Sequence, residues 1–129
     1  MVLKTVKLRA AHNASLNAMV LISPRGLTLY HFTFEKGKKI ACTGPCIKFW
    51  PPLLIKKGAK PTAGPGLNAN KLGTIRRPDG RYQVTYFGFA LYMFGSDRRR
   101  GDAKGEGVEN AWWAVGSSGK LVKRPATAR

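Results

Sequence analysis

Gly26-Leu27-Thr28-Leu29-Tyr30-His31-Phe32 returns 62 residues later as Gly88-Phe89-Ala90-Leu91-Tyr92-Met93-Phe94, and the register continues without a gap. Glu35 falls on Asp97, Ala41 on Ala103 and Trp50 on Trp112, so six of 25 positions are identical between 26–50 and 88–112. The matches are mainly glycine and aromatic residues. That pattern fits a duplicated β unit in which each half turns at glycine, runs a Tyr-x-Phe strand, crosses a loop and returns a tryptophan to the core. The residues around it agree. Leu27 and Leu29 face one way and Tyr30, Phe32 and Phe34 the other, as expected of a strand at 27–34 covered on both sides.

Outward from this stretch, Gly and Pro cut the chain into short apolar runs of strand length. Strands are expected at 2–8, 18–23, 53–55, 72–75, 82–87 and 89–94. A last hairpin is expected to run 112–115, turn at Ser117-Ser118-Gly119 and return through Leu121-Val122. Pro45 suits the first position of a short helix that Pro51-Pro52 would end. Residues 57–70 form a connecting loop and 124–129 a flexible tail. The expectation is one all-β, mostly antiparallel domain over 1–129 with one short helix. Its two repeats, about 18–56 and 80–118, would be related by a pseudo-twofold, with Tyr30, Phe32, Trp50, Tyr92, Phe94 and Trp112 in or lining the core.

The chain has 129 residues and a formal charge of +17, from 23 Lys and Arg against six Asp and Glu. Its apolar content of 43% supports a core, which excludes wholesale disorder. No apolar run is long enough for a transmembrane helix, and charges interrupt the first sixteen residues where a signal peptide needs its apolar stretch. The cations cluster beside turn formers: Lys36, Lys38 and Lys39; Lys56 and Lys57; Arg76 and Arg77; Arg98, Arg99 and Arg100. Taken singly, such groups keep a surface soluble. A total of +17 on so small a domain points to an anionic neighbour: surface polymer, lipid, acidic protein or nucleic acid.

The motifs Gly-x-x-Leu-Tyr-x-Phe followed by an acid, Cys42-x-Gly-x-Cys46, Trp50-Pro51-Pro52-Leu53 and Gly73-Thr74-Ile75-x-Arg77-Pro78-Asp79-Gly80 resemble a bacterial and archaeal family. It is the secreted-repeat or predicted-lipoprotein family named for its Tyr-x-(Phe/Trp/Tyr)-x-x-Asp motif. The two copies here are Tyr30 to Glu35 and Tyr92 to Asp97, with Glu35 in place of the usual Asp. The resemblance spans roughly 5–118 and implies an exported or surface-anchored, extracytoplasmic protein. It implies no reaction.

Cys42 and Cys46, the only cysteines, are close enough in sequence to close a small loop. A structural disulfide is the leading reading, stabilising by about 2–3 kcal/mol on the chain-entropy model. A redox-active pair and a zinc or copper site completed by His31 and His12 are the alternatives. Asp97, Asp102, Glu106 and Glu109 among glycines would suit a calcium ion, although local pairing with the preceding arginines is more economical. Glu35 and Asp97 could also be paired catalytic carboxylates, but nothing in the sequence brings them together. No serine-hydrolase or phosphate-loop signature is present. The sequence therefore reads as a non-catalytic exported or cell-envelope module without cofactor or metal, associating with an anionic polymer or lipid. A cytoplasmic nucleic-acid- or ribosome-associated protein and a redox or metal-handling protein are the other readings.

Overall fold

The computed structural model describes residues 2–35 and 39–123, so Lys36, Lys38 and the expected tail at 124–129 lie outside it. Among these residues ten short strands form three small sheets, joined by loops that include one α-helical turn and two 3-10 turns, Ala69–Lys71 and Val108–Asn110. The first contains β1 (Val2–Leu3), β5 (Leu54–Ile55), β8 (Tyr82–Tyr86) and β7 (Leu72–Arg76) in that order, with β9 (Phe89–Ala90) also on β8. The second pairs β4 (Tyr30–Phe32) with β10 (Trp112–Ala114). The third has the order β3 (Ala18–Ile22), β2 (Lys7–Asn13), β6 (Thr62–Ala63). All ladders are antiparallel except β1 with β5 and β2 with β6. Helix α1 is Cys46–Phe49, with Pro45 at its N-cap and Pro51 beyond its end.

Several boundaries differ from those read in the sequence. The expected first strand at 2–8 is two strands, and β2 extends to Asn13 and includes His12. The Tyr-x-Phe strand is regular only over Tyr30–Phe32, because the chain turns at Thr33-Phe34 and Glu35 N bonds back to Phe32 O. The connection at 57–70 contains β6, which adds to the edge of β2 through Thr62 N to Val6 O.

Two apolar clusters fill the interior. One is aliphatic, around Val6, Leu8, Leu21, Leu29, Leu53 and Leu91, and the other is built on aromatic rings. In the aromatic cluster the Trp50 and Trp112 rings lie parallel with centroids 3.7 Å apart. Phe94 stacks on the outer face of Trp50 at 4.3 Å and Phe32 on that of Trp112 at 4.4 Å. Tyr30 meets Trp50 edge-on at 5.6 Å, and Tyr92 meets Trp112 edge-on at 5.2 Å. Each tryptophan thus packs against the tyrosine of its own half of the chain and the phenylalanine of the other. The edge-on tyrosines suit the ring quadrupoles, whereas the two indoles overlap face to face and are held by the packing around them. Gly105 is where the chain crosses this cluster, since a Cβ there would sit 2.8 Å from the Trp50 ring.

The backbone repeats the correspondence at the spacing of 62. Tyr30 N donates to Tyr92 O and Tyr92 N to Tyr30 O, at 2.8 and 2.9 Å. Thr33 N to Ala111 O matches Gly95 N to Phe49 O, both 2.8 Å, and Val115 N to Leu29 O matches Leu53 N to Leu91 O, both 3.0 Å.

Candidate functional site

The two acids of the Tyr-x-Phe motifs are buried and are crossed between the halves. Tyr30 OH donates to Asp97 Oδ2 at 2.6 Å, and Tyr92 OH donates to Glu35 Oε2 at 2.5 Å. Each carboxylate also caps the loop that follows its own strand. Glu35 Oε2 accepts from Ala41 N and Cys42 N, and Asp97 Oδ1 accepts from Lys104 N. Burial is the main cause that holds the Asp97 carboxyl above the usual carboxylate range and raises both tyrosine hydroxyls. The two carboxylates therefore act as acceptors for two buried phenols.

Arg77 corrects the reading of the Arg76-Arg77 pair as surface charge: its side chain is 1% exposed. Its Nη1 donates to Gln83 Oε1 at 2.6 Å and to Tyr92 OH at 3.4 Å, and its Nη2 donates to Cys42 O at 2.6 Å. Asp79 Oδ2 lies 3.8 Å from its Nε. Arg77 alternates out of the exposed end of β7 and into the interior, where it ties the cysteine loop to the sheet. It is thereby removed from the anion-binding candidates. Cys42 and Cys46 form a disulfide, Cα to Cα 5.3 Å.

Neither metal constellation assembles. His12 faces Asn17, the two sulfurs bond to each other, and His31 is buried with Nδ1 3.1 Å from Ala90 O and its ring stacked on Phe89. Asp102 accepts from Arg98 N and Arg99 N, and Glu106 accepts from Ala114 N, so these acids point to separate backbone groups, and Asp102 meets the arginines through their amides. Among the described residues no three His, Cys, Asp or Glu side chains are grouped to hold an ion.

Burial holds the His31 pKa below its ordinary value, partly offset by the Ala90 carbonyl and the Glu35 charge. The unfolded chain takes up a proton on this residue at about pH 6.5, whereas the folded chain does so only at lower pH. The folded state thus binds fewer protons through that window and loses stability as the pH falls. Urea midpoints measured from pH 7.5 down to 5 should decline, and His31→Gln should flatten the decline. Asp97 works in the opposite sense, since it is protonated in the fold before the unfolded chain, so its contribution falls as the pH rises through the carboxylate range.

The exposed cations include Lys39, Lys56, Lys57, Arg76, Arg98, Arg99 and Arg100. Lys39 and Arg76 share an open depression with Ile40 and Pro78. The arginine loop at 98–102 is fixed in place: Asn13 Nδ2 donates to Gly101 O, Thr28 Oγ1 donates to Asp102 O, and the Asp102 carboxylate holds the amides of Arg98 and Arg99. These bonds set the Arg100 guanidinium against the turn Ser23-Pro24-Arg25-Gly26, 3.0 Å from where a Cβ on Gly26 would lie. Arg9 reaches the same turn, donating from Nη2 to Pro24 O at 3.2 Å. Arg9 and Arg25 were not singled out in the sequence, where each is an isolated cation; the fold brings Arg9 and Arg100 to the turn that carries Arg25.

Beneath this turn is a cavity of about 300 Å³. Leu3, Leu27, Pro52, Leu54, Met93 and Phe94 give it apolar walls, and Arg25 and Asp97 also border it. It lies where the first half's turn and Pro51–Leu54 segment meet the second half's Tyr-x-Phe strand.

Residues 73–116 match the profile of a family described as a secreted repeat of unknown function, a segment that holds Tyr92, Phe94, Asp97 and Trp112. The resemblance drawn from the motifs is thereby shown in the second copy. No curated protein and no solved structure matches. Among the described residues no helix is long and apolar enough to cross a membrane.

Proposed function

We propose that the protein is a non-catalytic, exported β module of the cell envelope that associates through its basic surface with an anionic polymer or lipid. One observation carries this reading. Of the six acids, Glu35, Asp97 and Glu106 are buried and turned inward, Asp102 caps backbone amides, Asp79 is engaged by Arg81 and Arg77, and Glu109 alone is exposed without such a partner among the described residues. The surface cations are therefore left with almost no carboxylates to neutralise them, and the field they produce attracts anions. Export is supported by the match to a secreted family and by a disulfide, which persists in oxidising compartments. A non-catalytic role is supported by the engagement of Glu35 and Asp97 with buried tyrosines. The matched contacts at a spacing of 62 support duplication of one β unit about a pseudo-twofold.

Retention on immobilised polyglutamate and on anionic vesicles tests the reading. Binding should be strong at about 0.05 M salt and should weaken steeply toward 0.5 M as the charges are screened. Absence of retention at low salt would sink the proposal. Retention on DNA alone would favour the nucleic-acid alternative.

A further inference from the structure

We infer that the cavity beneath the Ser23–Gly26 turn takes the apolar tail of a single-chain alkyl phosphate, with Arg9, Arg25 and Arg100 holding the head at its rim. The inference rests on the anionic-partner reading and narrows that partner to a lipid-type molecule.

Three features select this occupant. The volume of about 300 Å³ is at the small end of ligand sites, enough for one chain and too small for a two-chain lipid. Its walls are aliphatic and proline surfaces with one aromatic face, Phe94, which suits methylenes; a hydrophilic polymer would gain nothing from them. Around the turn, Arg25 borders the cavity, Arg9 is anchored on Pro24 O and Arg100 packs over Gly26. Among the described residues none of the three has a carboxylate within ion-pair distance. Guanidinium forks match phosphate oxygens and can bind them in pairs.

Asp97 fixes the orientation. Its carboxyl borders the cavity, with its oxygens engaged by Tyr30 OH and Lys104 N, so an anion placed inside would meet a carboxyl group and no free donor from it. The head therefore stays at the arginine rim and the tail enters.

Calorimetric titration with decyl phosphate below its micellar concentration tests the inference, with inorganic phosphate and decanol as the two halves of the ligand. Decyl phosphate should bind saturably at one per chain, about tenfold or more tighter than either half, because several methylenes are buried together with the charge. Leu27→Trp, which fills the cavity, should weaken decyl phosphate about tenfold or more and leave retention on polyglutamate unchanged. Met93→Trp fills the same space from the other half and serves if Leu27→Trp does not fold, with near-ultraviolet circular dichroism of the stacked tryptophans as the check. Arg25→Ser with Arg100→Ser should weaken decyl phosphate and spare decanol. Decyl phosphate binding no tighter than inorganic phosphate, or unchanged in a folded cavity-filled variant, would overturn the inference and leave the broader reading standing if polyglutamate is still retained. Loss of polyglutamate retention with intact decyl phosphate binding would instead overturn the broader reading alone. An acidic peptide that displaces decyl phosphate and binds more tightly would overturn the lipid assignment.

Discussion

Replacing Trp112 by alanine should lower the free energy of unfolding by about 3–5 kcal/mol, the range found for large aromatic residues removed from well-packed cores. The ring is 1% exposed and touches three others, Trp50 and Phe32 face to face and Tyr92 edge-on. Its loss removes transfer free energy and leaves a void lined by rings contributed by both halves, which cannot close without moving two strands. Trp50→Ala, made on the facing ring, should cost a similar amount. Because the two rings are in direct contact, the double variant should cost less than the sum of the single changes. Urea unfolding followed by far-ultraviolet circular dichroism measures each value. A loss below about 1 kcal/mol for either would mean that the stack is peripheral to stability.

Arg77→Met should cost about 3–5 kcal/mol, although it trades a charge for an apolar side chain of similar length. The guanidinium makes charge-assisted bonds of 2.6 Å to both Gln83 Oε1 and Cys42 O, and it reaches Tyr92 OH, which in turn donates to Glu35. Methionine satisfies none of these acceptors, and a buried acceptor without a donor bears its full desolvation cost. Arg76→Met, one residue earlier on the exposed side of β7, should change stability by no more than about 0.5 kcal/mol. Comparison of the two by thermal or urea unfolding separates an internal cation from a surface one. Equal small effects would contradict the buried role given to Arg77.

This pair also shows how far the sequence could be read. The alternation of Leu, Tyr and Phe around Tyr30, the return of Trp50 and Trp112, the short helix after Pro45 and the cysteine loop were legible because each rests on local spacing. The pairing of Tyr30 with Asp97 and of Tyr92 with Glu35 was not, because the motif places each tyrosine five residues from the acid of its own copy. Only the antiparallel meeting of Tyr30 and Tyr92 brings the other copy's acid within reach. Arg77 looked like its neighbour Arg76 because a strand's alternation decides which of two adjacent arginines turns inward, and the turn at Pro78 obscured where that strand ends. The gathering of arginines at the Ser23–Gly26 turn was hidden for the same reason as the crossed pairs. Arg9, Arg25 and Arg100 are distant in sequence and meet only through the turn that Arg9 and Arg100 both touch.

That the halves are joined by exchanged acids is tested most directly by two double-mutant cycles measured in urea. Tyr30→Phe combined with Asp97→Ala should show a coupling of about 1.5–3 kcal/mol, the scale of a buried hydrogen bond to a charged group. Tyr30→Phe combined with Glu35→Ala, the acid of the same motif copy, should be additive to within about 0.5 kcal/mol. Strong coupling of Tyr30 to Glu35 and additivity with Asp97 would contradict the account, because each motif would then be closed on itself.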